Sequence, residues 1–176
     1  MKQYGVALLA LALMNHSALA ASPLGDWMTE DGSGIVRIGP CGLVQVEPPV
    51  TKPAAGKQPP SQAAPAGKSD PAAPLCGLLA WSKVPAKGDP EYDPAMEGKS
   101  FIGTKLLSDM KPKGENRWEG EVSNPTNGKV YQSFMSLKTE NVLRIEGCVL
   151  GFLCGGQNWT RHTAPLPAST SPTPRR

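Results

Sequence analysis

Gly147-Cys148-Val149-Leu150-Gly151-Phe152-Leu153-Cys154-Gly155-Gly156-Gln157-Asn158-Trp159-Thr160-Arg161 is the stretch on which the reading of this chain turns. It carries two of the four cysteines. Trp159 and Arg161 are two apart, so they share one face of a strand. That strand, read as Gly156 to His162, is the last one before a Pro/Ser/Thr-rich end. It answers a stretch near the start, Gly25-Asp26-Trp27. The two read as the last and first strands of a sheet that closes on itself.

The N-terminus has the pattern of a secretory leader. Lys2 gives the positive end, Val6 to Met14 is apolar, and Ala18-Leu19-Ala20 puts small residues before a cut after Ala20. Residues 1–20 are therefore expected to be a signal peptide, and the protein to be periplasmic or secreted. The apolar run is shorter than the ~20 residues that a bilayer core requires, and no other segment reaches that length, so no membrane span is expected. No cysteine follows the cut, which argues against a lipoprotein. Net charge is +3; loss of Lys2 leaves +2, too little and too scattered for a nucleic-acid partner. Without His16, His162 is the one histidine, which removes most histidine-based catalysis and metal chemistry.

Cys41, Cys76, Cys148 and Cys154 all lie beyond the leader. An even cysteine count in an exported chain reads as disulfides. The favoured pairing is Cys41–Cys76 and Cys148–Cys154, a long loop and a short one. Chain-entropy arguments give them about 3.8 and about 2.4 kcal/mol as upper values. A zinc site is disfavoured because there is no Cys-x-x-Cys pair, and neither metal nor cofactor is expected.

The segment between Pro48 and Pro74 is rich in proline and alanine, has no aromatic residue, and has Val50 as its one large aliphatic. It cannot bury enough apolar surface to offset its ordering entropy. Residues 48–75 are expected to be a disordered insertion in a single domain spanning 21–163, with 164–176 a loose tail. Lys52, Lys57 and Lys68 of the insertion are candidates for contact with an anionic envelope surface.

The rest reads as about eight strands with almost no helix. Leu24–Glu30 and Ile35–Ile38 flank a turn at Asp31-Gly32-Ser33-Gly34, and Cys41–Glu47 is expected to carry the second strand on. Cys76–Ser82 puts Leu79 and Trp81 on one face. Phe101–Leu107 is the next strand, ended by Met110–Gly114, after a loop with a short helical turn near Pro94–Glu97. Trp118, Gly120 and Val122 alternate with Glu119 and Glu121, the pattern of a half-buried strand. Asn124–Gly128 is a strong turn. Lys129–Leu137 then presents Tyr131, Met135 and Leu137, and Val142–Gly147 presents Leu143 and Ile145. The expectation is an all-β, roughly eight-stranded antiparallel up-and-down barrel, which leaves no open sheet edge.

Gly25-Asp26-Trp27 is similar to the Gly-x-Trp that opens lipocalin-type barrels, in which an arginine on the last strand lies across the indole. That resemblance implies barrel closure by Trp27, Trp159 and Arg161. Thr-Asp-Tyr, another lipocalin signature, is absent. The chain more fully resembles domain of unknown function 2147, a family of exported bacterial proteins. The resemblance rests on Gly25–Gly32, Cys41-Gly42, Cys76–Trp81, Trp118-Glu119-Gly120, Asn124–Tyr131, and Gly147-Cys148-Val149 to Trp159-Thr160-Arg161. It covers nearly all of Leu24 to His162, and it departs at the Pro/Ala segment, which is much shorter in the family. It implies a small lipocalin-like barrel and no reaction.

An eight-stranded barrel either packs its interior or holds one small ligand. The first expectation is a binding module for a small apolar or amphipathic molecule, lined by Trp81, Phe101, Trp118, Tyr131 and Met135. The alternative is a non-catalytic envelope structural or interaction protein with a solid core. No enzyme is expected. Glu119 and Glu121 sit on a strand's outer face, where a solvated role is the ordinary one. Nothing activates a particular serine for His162.

Overall fold

The computed structural model describes residues 21–46, 72–83, 85, 87–88, 93–96 and 100–167. The expected leader, residues 48–71 of the expected insertion with its three lysines, and the tail beyond 167 lie outside the described residues. Eight strands run in chain order: β1 (Gly25–Met28), β2 (Gly34–Pro40), β3 (Leu75–Ser82), β4 (Lys105–Gly114), β5 (Arg117–Ser123), β6 (Val130–Thr139), β7 (Val142–Val149) and β8 (Leu153–His162). Each pairs antiparallel with the next, and β8 pairs with β1, so the sheet is a closed up-and-down barrel. A single 3-10 turn, Pro94–Met96, lies between β3 and β4.

Short polar turns set the register. At the β1–β2 turn, Asp31 accepts hydrogen bonds from Thr29 Oγ1 (2.6 Å), Ser33 N–H (3.0 Å) and Ser33 Oγ (2.8 Å). At the β5–β6 turn, Asn124 Oδ1 accepts from Thr126 N–H and Oγ1, and Asn127 Oδ1 accepts from Lys129 N–H. These side chains mimic backbone turns, which is why Asn and Asp collect there.

The interior is one apolar cluster. Trp27, Val36, Ile38, Leu79, Leu107, Met110, Met135, Leu137, Leu143, Ile145 and Trp159 are all buried in it. On β2, β6 and β7 they occupy alternate positions; on β4 Leu107 and Met110 are three apart, across the register shift between Ser108 and Lys111. Two disulfides, Cys41–Cys76 (S–S 2.06 Å) and Cys148–Cys154 (2.01 Å), have the expected pairing. The first ties the end of β2 to the start of β3, and the second joins directly paired residues of β7 and β8. Both fit an oxidising compartment.

The strand limits differ from the sequence reading most at β2, β3, β4 and β8. β2 stops at Pro40, and the described part of Cys41–Glu47, up to Val46, does not carry it on. The Pro40 carbonyl accepts from the N–H groups of Leu43 and Val44, making a turn that leaves Leu43 75% exposed. Leu75, expected to close the insertion, already belongs to β3. Phe101 lies in a turn before β4, with Thr104 N–H donating to its carbonyl, and Met110–Gly114 continues β4 instead of ending it. The ladder to β5 accommodates Pro112 by register shifts on both sides of it. Finally, β8 begins at Leu153, three residues before Gly156.

Two measurements test this frame. Deleting the longer bridge (Cys41→Ala with Cys76→Ala) should cost more stability than deleting the shorter one (Cys148→Ala with Cys154→Ala), about 3.8 against about 2.4 kcal/mol at most. Urea unfolding of the two double variants reads the difference, and the reverse order would contradict the assigned loops. Burial alone would raise the Asp31 pKa, but hydrogen bonds from Thr29 and Ser33 outweigh it and hold the carboxyl below its ordinary 3.8. The carboxylate's contribution to stability is therefore complete above the unfolded value and lost as pH falls through the folded one. Asp31→Asn should lower the unfolding free energy slightly at pH 7, by less than about 1 kcal/mol for so exposed a turn. The gap should close below about pH 4.

Candidate functional site at the two ends of the barrel

One end of the barrel is sealed by the chain's two strand termini. Trp27 is fully buried and donates its indole Nε1–H to the Pro23 carbonyl at 2.8 Å. Arg161, its direct cross-strand partner on β8, lays its guanidinium over the indole, with Cζ 4.2 Å from the ring centroid. The same guanidinium donates from Nε to Glu140 O (2.6 Å), from Nη1 to Leu24 O (2.9 Å) and from Nη2 to Ser22 O (2.5 Å). One fork thus binds the approach to β1 and the β6–β7 turn together. Burial lowers the guanidinium's pKa while Glu140 opposes that, yet Arg stays cationic at any physiological pH. Gly25 is required here: its φ is +110°, and a Cβ there would stand 3.3 Å from Arg161 Nη1. On the outer face, Arg37 grips Asp26 with two bonds, Nε–Oδ1 2.7 Å and Nη2–Oδ2 2.8 Å, locking β1 to β2. Trp159 is buried in the core beside this floor and donates to Gln157 Oε1 at 3.1 Å.

The other end is built differently. β1 pairs with β8 over Asp26–Met28 against Thr160–His162. Beyond that, Asn158 N–H donates to Glu30 Oε2 at 2.9 Å, and Leu153–Gln157 pairs with β7 alone among the described residues. Alternation from Trp159 places Gln157, Gly155 and Leu153 on the luminal face. All three are exposed, and a Cβ built at Gly155 meets nothing within 4 Å. Among the described residues, nothing covers the luminal face of β8 above Trp159. The adjoining luminal row holds small side chains: Gly155 pairs with Gly147, Gly147 with Ser133, and Ser133 with Gly120. Ser133 is fully buried, and its hydroxyl has no hydrogen-bond partner among the described residues. An unpartnered buried hydroxyl in a native fold calls for an explanation, and an unseen water or ligand is one.

The residues expected to line a chamber are not all in one place. Met135 is 1% exposed and belongs to the packed core, with Trp118 directly opposite it and packed against the core. Phe101 also packs against the core, from its turn before β4. Tyr131 is half-buried, opposite Val122, two residues above Ser133. Trp81 departs from its expected face. A register shift between Ile35 and Val36 sets Val36 opposite Leu79 but Ile35 opposite Trp81. Two residues of β3 then answer one of β2, and a bulge of that kind breaks alternation. Trp81 consequently lies with Ile35 and Met28, on the side away from Trp27 and Val36, and outside the core cluster. Sequence reasoning did not select Ser133, Gly155 or Gln157. The glycine pair Gly155-Gly156 was the signal at hand, since glycine inside a strand marks a bulge or a close approach.

A shallow depression of about 160 Å³ lies on the outer face of β5–β7, where Phe134 and Ser136 sit among Lys113, Arg117, Glu119 and Glu146. It is smaller than the roughly 300–1,000 Å³ of ordinary ligand pockets.

Known proteins share this architecture. Residues 25–161 match a family model described as "Uncharacterized protein conserved in bacteria (DUF2147)". The match runs from Gly25 to Arg161, the two residues that touch at the floor. Among solved structures, protein HP1028 from the human pathogen Helicobacter pylori is similar. It is described as belonging to the lipocalin family, with a TM-score of 0.50 and 15% identity over 81% of this chain and 84% of that one. At that identity the likeness establishes the fold, a lipocalin-like barrel. No curated protein matches.

Trp27→Ala should cost about 3–5 kcal/mol, the usual range for emptying a buried aromatic site. Arg161→Ala should cost about 2–3 kcal/mol through its charged hydrogen bonds and its ring contact. Arg161→Lys should recover less than half of that, because one ammonium cannot serve three diverging carbonyls and an indole face. Thermal and urea unfolding read all three, and full recovery by lysine would reduce the contact to simple charge.

Proposed function

This chain belongs to the DUF2147 family, and from that premise we propose that it is an exported, non-catalytic carrier of a small apolar or amphipathic molecule. The ligand sits in the upper half of the barrel. The observation that carries the proposal is the exposed luminal face of β8 above Trp159, with open space at Gly155. The lower half is closed to a ligand by its own core, Trp27, Trp159, Leu143 and Leu137. A guest therefore rests above them, between β8 and the half-buried Tyr131. The exposed Gln157 amide supplies a polar partner, and Leu153 and Val149 supply the apolar rim. A mostly apolar concavity with few polar groups is the ordinary make-up of such sites. Two disulfides support the exported setting. So does the leader read in residues 1–20.

Gly155→Phe tests the site, because its backbone is not in the left-handed region and there is room for a side chain. The expected result is a Tm within about 2 °C of wild type. Affinity for a dansyl-labelled medium-chain fatty acid should fall at least about tenfold, or about 1.4 kcal/mol. Phe134→Ala, on the outer face, should leave that affinity unchanged. Wild-type protein that fails to bind the probe, or a Gly155→Phe variant that binds equally well, would overturn the proposal.

A further inference from the structure

The β7–β8 hairpin ends in a finger whose surface is the reverse of what solvent favours. Val149 is 48% exposed, Leu150 79%, Phe152 72% and Leu153 60%. They form one contiguous run around the turn, closed at its base by Cys148–Cys154. The neighbouring β5–β6 hairpin adds Val130, 54% exposed, at the same end of the barrel. Large apolar side chains clustered in the open mark a contact surface.

The backbone points the same way. Leu150 has φ 55° and Gly151 φ 78°, with Phe152 N–H donating to Val149 O. That is a hairpin turn with positive φ at both central residues, a place for Asn, Asp or Gly. A branched apolar residue there is strained. The strained residue is also the most exposed of the large apolar side chains. Neither the fold nor solubility is served by leucine at this position, and such outliers gather at functional contacts.

Shape and charge identify the partner. The finger is convex, so it enters a soft phase and cannot receive a peptide. Gly147–Trp159 contains no charged residue, and Ser123–Gln132 in the adjoining hairpin contains one, Lys129. Charged groups are what hydrocarbon excludes. Its two legs are joined by cross-strand pairs at Cys148–Cys154 and Val149–Leu153, and Phe152 N–H donates to Val149 O, so the backbone groups between the legs are satisfied within the finger. Lys129, the one charge in these two stretches, stands beside the apolar tip with Tyr131 nearby, an arrangement that suits the boundary between acyl chains and headgroups.

We infer that the Val149–Leu153 finger docks the open end of the barrel onto an anionic lipid bilayer, so that the mouth faces the membrane surface. The inference rests on the carrier reading for its purpose, since the docked mouth would take its amphipathic guest from the bilayer or deliver it there. The docking itself rests on the finger.

The test uses the full-length gene product, expressed with its own leader and purified oxidised, in flotation with vesicles of phosphatidylethanolamine and phosphatidylglycerol. Wild type should float. Leu150→Asn with Phe152→Asn should cut the floated fraction at least fivefold. Its Tm should hold or rise, because Asn accepts the positive φ at position 150. Lys129→Gln should weaken binding to these vesicles and not to phosphatidylcholine ones. The double variant should still bind the dansyl fatty acid in solution, because its luminal wall is intact. Wild type that stays with the unfloated protein, or a double variant that floats as well as wild type, overturns docking. If it instead holds a protein of the envelope through the finger without floating, docking on lipid is equally overturned. Flotation without uptake of the soluble probe would overturn the carrier reading and leave docking standing.

Discussion

Closure of this barrel depends on one guanidinium. A sheet of eight strands stays open unless its first and last strands find each other, and β1 has only Gly25–Met28 with which to do so. Arg161 compensates for that short seam by binding three carbonyls from two separate parts of the chain while covering Trp27. Desolvating the charge is unfavourable. Charged hydrogen bonds of this kind are stronger than neutral ones and offset that cost. The contact also fixes register. With Arg161 over Trp27, β8 is positioned to within one residue, and a one-residue slip would turn Trp159 out of the core.

The same contact decides where the barrel is open. The seam is anchored at the floor and ends at Met28, whereas β8 continues upward to Leu153. Five residues of β8, about 17 Å of strand, therefore have no strand partner on one side among the described residues. Alternation does not change along the strand. Trp159 meets a packed floor, while Gln157 and Gly155, on the same face, meet solvent. The exposure of this luminal face, among the described residues, follows from the mismatch in length between the first strand and the last.

Much of this was legible in the residues, because it rests on local rules. Trp118, Gly120 and Val122 face inward as their alternation requires, and Tyr131, Met135 and Leu137 do the same on β6. The closing triplet of Trp27, Trp159 and Arg161 was legible from position, one end of the chain answering the other. What was not legible depends on a partner strand. Trp81 alternates correctly with Leu79 on paper; the bulge that turns it outward is a property of the β2–β3 ladder, and no residue in Cys76–Ser82 announces it. Pro112 reads as a stop, yet β4 passes through it because the β5 ladder shifts around the missing N–H. The openness at Gly155 was hidden for the same reason: it is set by where β1 ends, more than a hundred residues away.

The two ends of the barrel thus put their unusual residues to opposite uses. At the floor, the strained or costly features, Gly25 at φ +110° and a half-buried Arg161, are compensated inside the molecule by named contacts. At the mouth, the unusual features have no such compensation among the described residues: Ser133 keeps an unpartnered hydroxyl, and Leu150 keeps both a strained φ and an exposed side chain. The contrast is one of degree: at the floor end His162 Nε2 is also buried without a partner among the described residues, and Leu43 beyond β2 is 75% exposed. Under the docking inference, an apolar surface would cover Leu150 and Phe152, the large side chains that the hairpin tip leaves most exposed.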